Sequence, residues 1–138
     1  MASQECNIRF CDNQKIDGNY TVTNENSSFP FTNAIDTIRS KVFKSTSNSD
    51  WRLVLDLGFP DKINTLAIFA PLGQPLGITR EATIKIQADD VNDWVSPELD
   101  VSVTIDNDNQ LIKFLDDITE LNYRFWSLYI DDPTNPDF

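Results

Sequence analysis

A chain of 138 residues, 40% of them hydrophobic, has the length of one domain and can bury roughly two-thirds of its unfolded surface. Its 11 basic against 22 acidic residues give a net charge of −11, which repels nucleic acid and anionic membrane, and no apolar run reaches the ~20 residues of a membrane helix. It contains no histidine, which excludes Ser-His-Asp and Cys-His systems, His-containing metal sites and the usual proton shuttle near neutral pH.

The N-terminal Met-Ala-Ser-Gln-Glu-Cys lacks the basic and apolar regions of a signal peptide. Residues 6–10 (CNIRF) are the first expected strand, bracketed by Cys6 and Cys11. Five positions apart on a strand, the two thiols point to opposite faces about 17 Å apart. A disulfide needs Cα atoms within about 7 Å, so both are read as reduced. Residues 18–23 (GNYTVT) form a second expected strand. Residues 24–33, with five Asn or Ser among turn formers, read as a long loop pinned by Phe29 and Phe31. Ala34 and Ile35 begin a turn or short helix, and Lys41 to Lys44 a short strand. Arg39, Lys41 and Lys44 are the nearest thing to a basic patch and read as a solvated strand face.

Residues 51–58, Trp-Arg-Leu-Val-Leu-Asp-Leu-Gly, alternate with period two: Trp51, Leu53, Leu55 and Leu57 on one face, Arg52, Val54 and Asp56 on the other. This is a strand with one face on a core, which Gly58 and Pro60 are expected to stop. A further strand follows at 62–70, then an irregular Pro/Gly loop at 71–77. Residues 79–88 alternate again, with Ala82, Ile84, Ile86 and Ala88 inward and Thr83, Lys85 and Gln87 outward. Residues 89–97 are a loop carrying Trp94; 101–105 are a strand; Asp106 to Asn109 are a turn. Residues 110–115 and 122–131 are the last expected strands, with one helical turn at 116–121. Short strands at this spacing without helical period predict an all-β sandwich of two antiparallel sheets, residues 1–138 forming one domain. The chain ends on turn chemistry, Asp131 to Phe138, so a further strand is expected after it or from a neighbour.

Asn33 to Asp36, Trp51, Leu55-Asp56-Leu57-Gly58, Leu66 to Ile68 and the aromatic-Arg-aromatic run Tyr123 to Trp126 resemble the discoidin or coagulation-factor type C group. The resemblance implies a galactose-binding-like jelly roll of about eight strands. A subset found in tailed bacteriophages is similar in residues 7–10, 29–34, 39–45, 56–58, 82–88 and 123–136. That resemblance implies a structural or attachment module of a phage virion, contacting other virion proteins and copies of itself. In many members of the group an Asp-Gly turn helps hold calcium or shapes the ligand rim. Here Asp36 precedes Thr37, and Arg39 lies close by, so no metal or cofactor is carried over.

Among candidate sites, Asp106 to Asn109 lacks the glycine and terminal glutamate of a calcium loop and reads as a hairpin turn. Asp89, Asp90 and Asp93, and Asp116, Asp117 and Glu120, are carboxylate clusters that could serve a glycosidase but read as solvated loop charge. Trp94 either stacks on a sugar, anchors a protein interface or caps an open end of the sandwich. Trp51 and Trp126 read as core, and Arg124 either lies across an aromatic ring or grips a carboxylate. The main expectation is non-enzymatic: assembly through Phe29, Phe31, Leu72, Leu76 and Trp94, acidity keeping free subunits apart. The alternative is recognition of host-surface glycan through Trp94, Arg80 and Asp36.

Overall fold

The computed structural model describes residues 19–35, 42–70, 73–115 and 122–135. Residues 6–11 with both cysteines, Asp36, Arg39, Lys41, Leu72 and residues 116–121 lie outside the described residues. Seven strands run through the described part: β1 (Tyr20–Val22), β2 (Trp51–Asp61), β3 (Thr65–Phe69), β4 (Thr83–Asp89), β5 (Leu99–Val103), β6 (Gln110–Phe114) and β7 (Tyr123–Asp131). They form two antiparallel sheets, one in the order β1-β2-β7-β4-β5 and one pairing β3 with β6. The all-β sandwich is therefore as the residue pattern predicts.

Period-two alternation builds the core directly. Tyr20, Leu55, Trp126, Ala88 and Leu99 form one cross-strand row on the inner face of the large sheet. Val22, Leu53, Leu128, Ile86 and Val101 form the next, and Trp51, Ile130, Ile84 and Val103 the third. Leu111 and Leu115 close the core from the other side, with Leu66 and Ile68 packed against it. Burying one such aliphatic side chain contributes roughly 1.5–3 kcal/mol. Trp126 stays in the core because its indole N–H has partners there, the carbonyls of Asp61 and Tyr123 at 3.1 and 3.0 Å.

Three local expectations change. Gly58 and Pro60 do not stop β2; pairing with β7 slips between Asp56 and Asp61, and the strand continues past an irregularity. Gly58 sits there at φ 80°, a conformation that suits glycine. Residues 42–44 make no strand, only a bridge between Glu25 and Ser45 next to them. The turn expected at Ala34 begins earlier, as a short 3-10 helix at Phe31–Asn33.

Phe31 is committed to the core rather than free to meet a neighbour. It is 5% exposed. Its ring lies 5.1 Å from Tyr20, 5.4 Å from Phe43 and 6.1 Å from Trp51, centroid to centroid. Leu76 is likewise half-buried against the core. Phe29 remains exposed, with the Lys44 ammonium 4.9 Å above its ring. The large exposed side chains also include residues the sequence did not single out for contact: Phe59, Phe69 and Phe114.

Candidate functional site

The outward residues of β2, β7 and β4 come together through strand order. Register aligns Arg52 with Tyr129 and Lys85 in one row, and Val54 with Ser127 and Gln87 in the next. Gln87 and Ser127 face away from the core yet are 4% and 3% exposed. Arg52 lies over them: its Nη1 donates to Gln87 Oε1 at 2.7 Å and to Ser127 Oγ at 2.6 Å. Two aromatic rings flank the guanidinium, Tyr129 at 4.8 Å and Trp94 at 5.2 Å from Cζ. Burial lowers the pKa of Arg52, while Tyr129, Asp100 and Asp50 pull it the other way; an arginine stays charged throughout the neutral range.

Trp94 is the aromatic that the sequence singles out, and its ring meets the Arg52 guanidinium. It leaves the loop between β4 and β5 and reaches back to Arg52 on the sheet's outer face, half-buried. Asp93 accepts the Val95 N–H at 3.1 Å, and the Trp94 indole donates to Asn92 Oδ1 at 3.0 Å, which fix the loop locally. The loop also exposes Val91 and Val95, at 63% and 91%.

Arg80 lies elsewhere. It precedes β4 while Trp94 follows it, so the two leave opposite ends of a strand roughly 20 Å long. Arg80 Nη2 meets Asp108 Oδ1 at 2.9 Å, a pair of exposed side chains of small energetic weight. The contacts join Trp94 to Arg52 and Arg80 to Asp108, and Asp36 lies outside the described residues. What joins Trp94 instead is Arg52, Tyr129, Gln87 and Ser127. Their alternation marks them as outward, but the adjacency of β2, β7 and β4 is a long-range fact.

Of the carboxylates expected as loop charge, Asp89 and Asp90 have structural work. Asp89 accepts the N–H groups of Val91 and Glu98 at 3.1 and 3.2 Å, and Asp90 that of Arg124 at 3.1 Å. Arg124 does both things the sequence allows. Its Nε and Nη2 grip Asp56 at 2.8 and 3.0 Å, and its Cζ lies 4.9 Å from the Phe125 ring centroid. The Arg124 bond, with the Gly58 N–H, holds the Asp56 carboxyl below the usual carboxylate range. The two motifs that carry the resemblance, Asp-Leu-Gly and aromatic-Arg-aromatic, are thus joined by one ion pair. Among the described residues there is no group of three or more His, Cys, Asp or Glu able to hold a metal.

No protein-family model and no curated protein matches the sequence. Solved structures do match the fold. A family 32 carbohydrate-binding module from C. perfringens NanJ, in complex with galactose, superimposes with a TM-score of 0.59 at 14% identity, covering 83% of this chain and 82% of that one. A fucose-binding module of Streptococcus pneumoniae gives 0.62 at 14% identity and 83% of each chain. The lectin domain of lectinolysin complexed with Lewis b antigen gives 0.64 at 11% identity and 89% of each. At these identities the likeness is one of fold: a galactose-binding-like β-sandwich.

Proposed function

We propose that this chain is a non-catalytic carbohydrate-binding module, with the outer face of the large sheet as its binding surface and Trp94 as its aromatic platform. The observation that carries the reading is Trp94 held beside Arg52, whose guanidinium Gln87 and Ser127 fix on the sheet. A sugar ring presents an apolar face bordered by hydroxyls, and this surface offers an aromatic face bordered by the Arg52 guanidinium, which Gln87 and Ser127 hold from beneath. The ligands bound by the similar folds, galactose, fucose and Lewis b antigen, support the same class. Calorimetric titration against saccharides detected on a broad glycan array tests it. Trp94→Ala is expected to weaken binding roughly tenfold or more with little loss of thermal stability. No binding across the array would overturn the reading.

A second reading concerns place rather than chemistry: a module of a phage particle, repeated by symmetry, so that saccharide binding would serve attachment. It is supported by the resemblance of residues 29–34 and 123–136 and by Phe69 and Phe114, 43% and 55% exposed on the small sheet, where a neighbouring protein could bury them. Antibody detection of the chain in purified particles tests it, and absence from them would remove it.

A further inference from the structure

Two arginines of the large sheet, Arg52 and Arg124, differ in one respect. Arg124 has its Nε/Nη2 edge filled by both oxygens of Asp56. Arg52 is fixed by the opposite nitrogen: Nη1 uses both its hydrogens on Gln87 and Ser127. Its Nε and Nη2 have no partner among the described residues. They are not sealed away either. Among the described residues the buried side-chain nitrogen or oxygen without a partner is Trp51 Nε1, so the free edge of Arg52 lies where solvent reaches it.

The acids around Arg52 are committed to other groups. Asp50 accepts the Tyr129 hydroxyl at 2.6 Å, and Asp100 pairs with Lys85 at 3.7 Å. Lys85 and Arg124 thus have carboxylate partners, and Arg52 has none among the described residues. The parallel N–H pair on a guanidinium edge matches the two oxygens of a carboxylate, and two anchoring bonds with flanking rings fix its orientation in advance.

We propose that Arg52 receives a ligand carboxylate on its Nε/Nη2 edge while Trp94 covers the sugar ring, so that the sheet face selects a saccharide bearing a carboxylate, a uronic or sialic acid residue. This rests on the saccharide-binding reading above and adds the ligand class and the residue that reads it.

The test uses matched probes: a glucuronic-acid-terminated oligosaccharide and sialyllactose, each against its neutral counterpart, the carboxyl-reduced oligosaccharide and lactose. Calorimetry on the full chain is expected to give about tenfold or greater preference for the acidic member of one pair, as a charge-assisted bidentate bond allows. Arg52→Lys keeps the charge but loses the fork, and should bring that ratio close to one with weak neutral binding retained. Arg52 Nε–H should shift in a nitrogen-proton NMR titration with the acidic probe and not with the neutral one, a readout that holds if the variant proves unstable. Arg80→Ala, at the other end of β4, should change nothing. Equal or tighter binding of the neutral members overturns the carboxylate assignment and leaves the saccharide reading standing. Loss of acidic-probe binding in Arg80→Ala but not in Arg52→Lys moves the site to the loop end and also overturns it. Failure to bind any saccharide, with or without capture of an acidic peptide, overturns both.

Discussion

Tyr129 connects the two flanks of the Arg52 cluster. Its hydroxyl donates to Asp50, and that bond, followed by burial, pushes the phenol up to about 12 from an ordinary 10.0. A raised phenol pKa means that the folded state holds the proton more tightly than the unfolded chain. The associated stability is fully present below pH 10.0 and is lost as pH rises towards about 12. Absorbance titration of the native protein should therefore show a late tyrosine step near pH 12, absent in Tyr129→Phe and moved to lower pH in Asp50→Asn. An ordinary midpoint for every tyrosine in the folded protein would show that Asp50 does not hold Tyr129. Of this cluster only Trp94 stands out in the sequence, because a tryptophan in a polar loop is conspicuous whatever it touches. Arg52, Gln87 and Ser127 are each unremarkable outward residues on separate strands, and their meeting depends on β7 lying between β2 and β4.

At the scale of elements, the segment after β7 acts as a clasp. Asp132 is 4% exposed and accepts the Thr79 N–H at 2.9 Å, the Thr79 hydroxyl at 2.5 Å and the Asn135 amide at 2.9 Å. Asn135 also reaches the Gly77 carbonyl at 2.9 Å, and Asn48 donates to the Pro133 and Asn135 carbonyls at 3.1 Å each. The clasp thereby fixes the loops that lead into β4 and β2. Asp132→Ala removes an acceptor shared by three donors in a buried place and should cost about 3 kcal/mol in denaturant unfolding. Asp132→Asn, which keeps one acceptor oxygen, should cost less, and a neutral Asp132→Ala would mean that the loops are held by other contacts. The strand at 51–57 and the later part of that expected at 79–88 are legible in sequence because alternation, β-branched or large apolar residues and a half-buried sheet all favour the same state, while residues 79–82, expected in the strand, precede β4, which starts at Thr83. Lys41 to Lys44 misled because Val42-Phe43 is apolar over too few residues to distinguish a strand from a loop anchored by Phe43. Gly58 misled in the opposite direction, since a glycine inside a strand can mark a bulge as readily as an end.

At the scale of the molecule, charge and binding pull against each other. The chain carries −11, so an anionic saccharide approaches through a repulsive field before it meets the open guanidinium edge of Arg52. The Debye length falls from roughly 30 Å at about 10 mM salt to roughly 8 Å at about 150 mM, so salt removes the distant repulsion before it weakens a contact made at hydrogen-bond distance. The association rate of a carboxylated oligosaccharide should consequently rise across that range, whereas that of its carboxyl-reduced counterpart should stay level. This is the reverse of the salt response of a basic protein with an anionic ligand. Stopped-flow tryptophan fluorescence can follow it, provided Trp94 reports binding, and Trp94→Phe would show whether it does. An association rate that falls with salt would mean that the local field of Arg52 outweighs the net charge even at long range. A rate equally flat for both probes would mean that the bound sugar is read by its hydroxyls, with the carboxylate left in solvent and the free edge of Arg52 outside the recognition step.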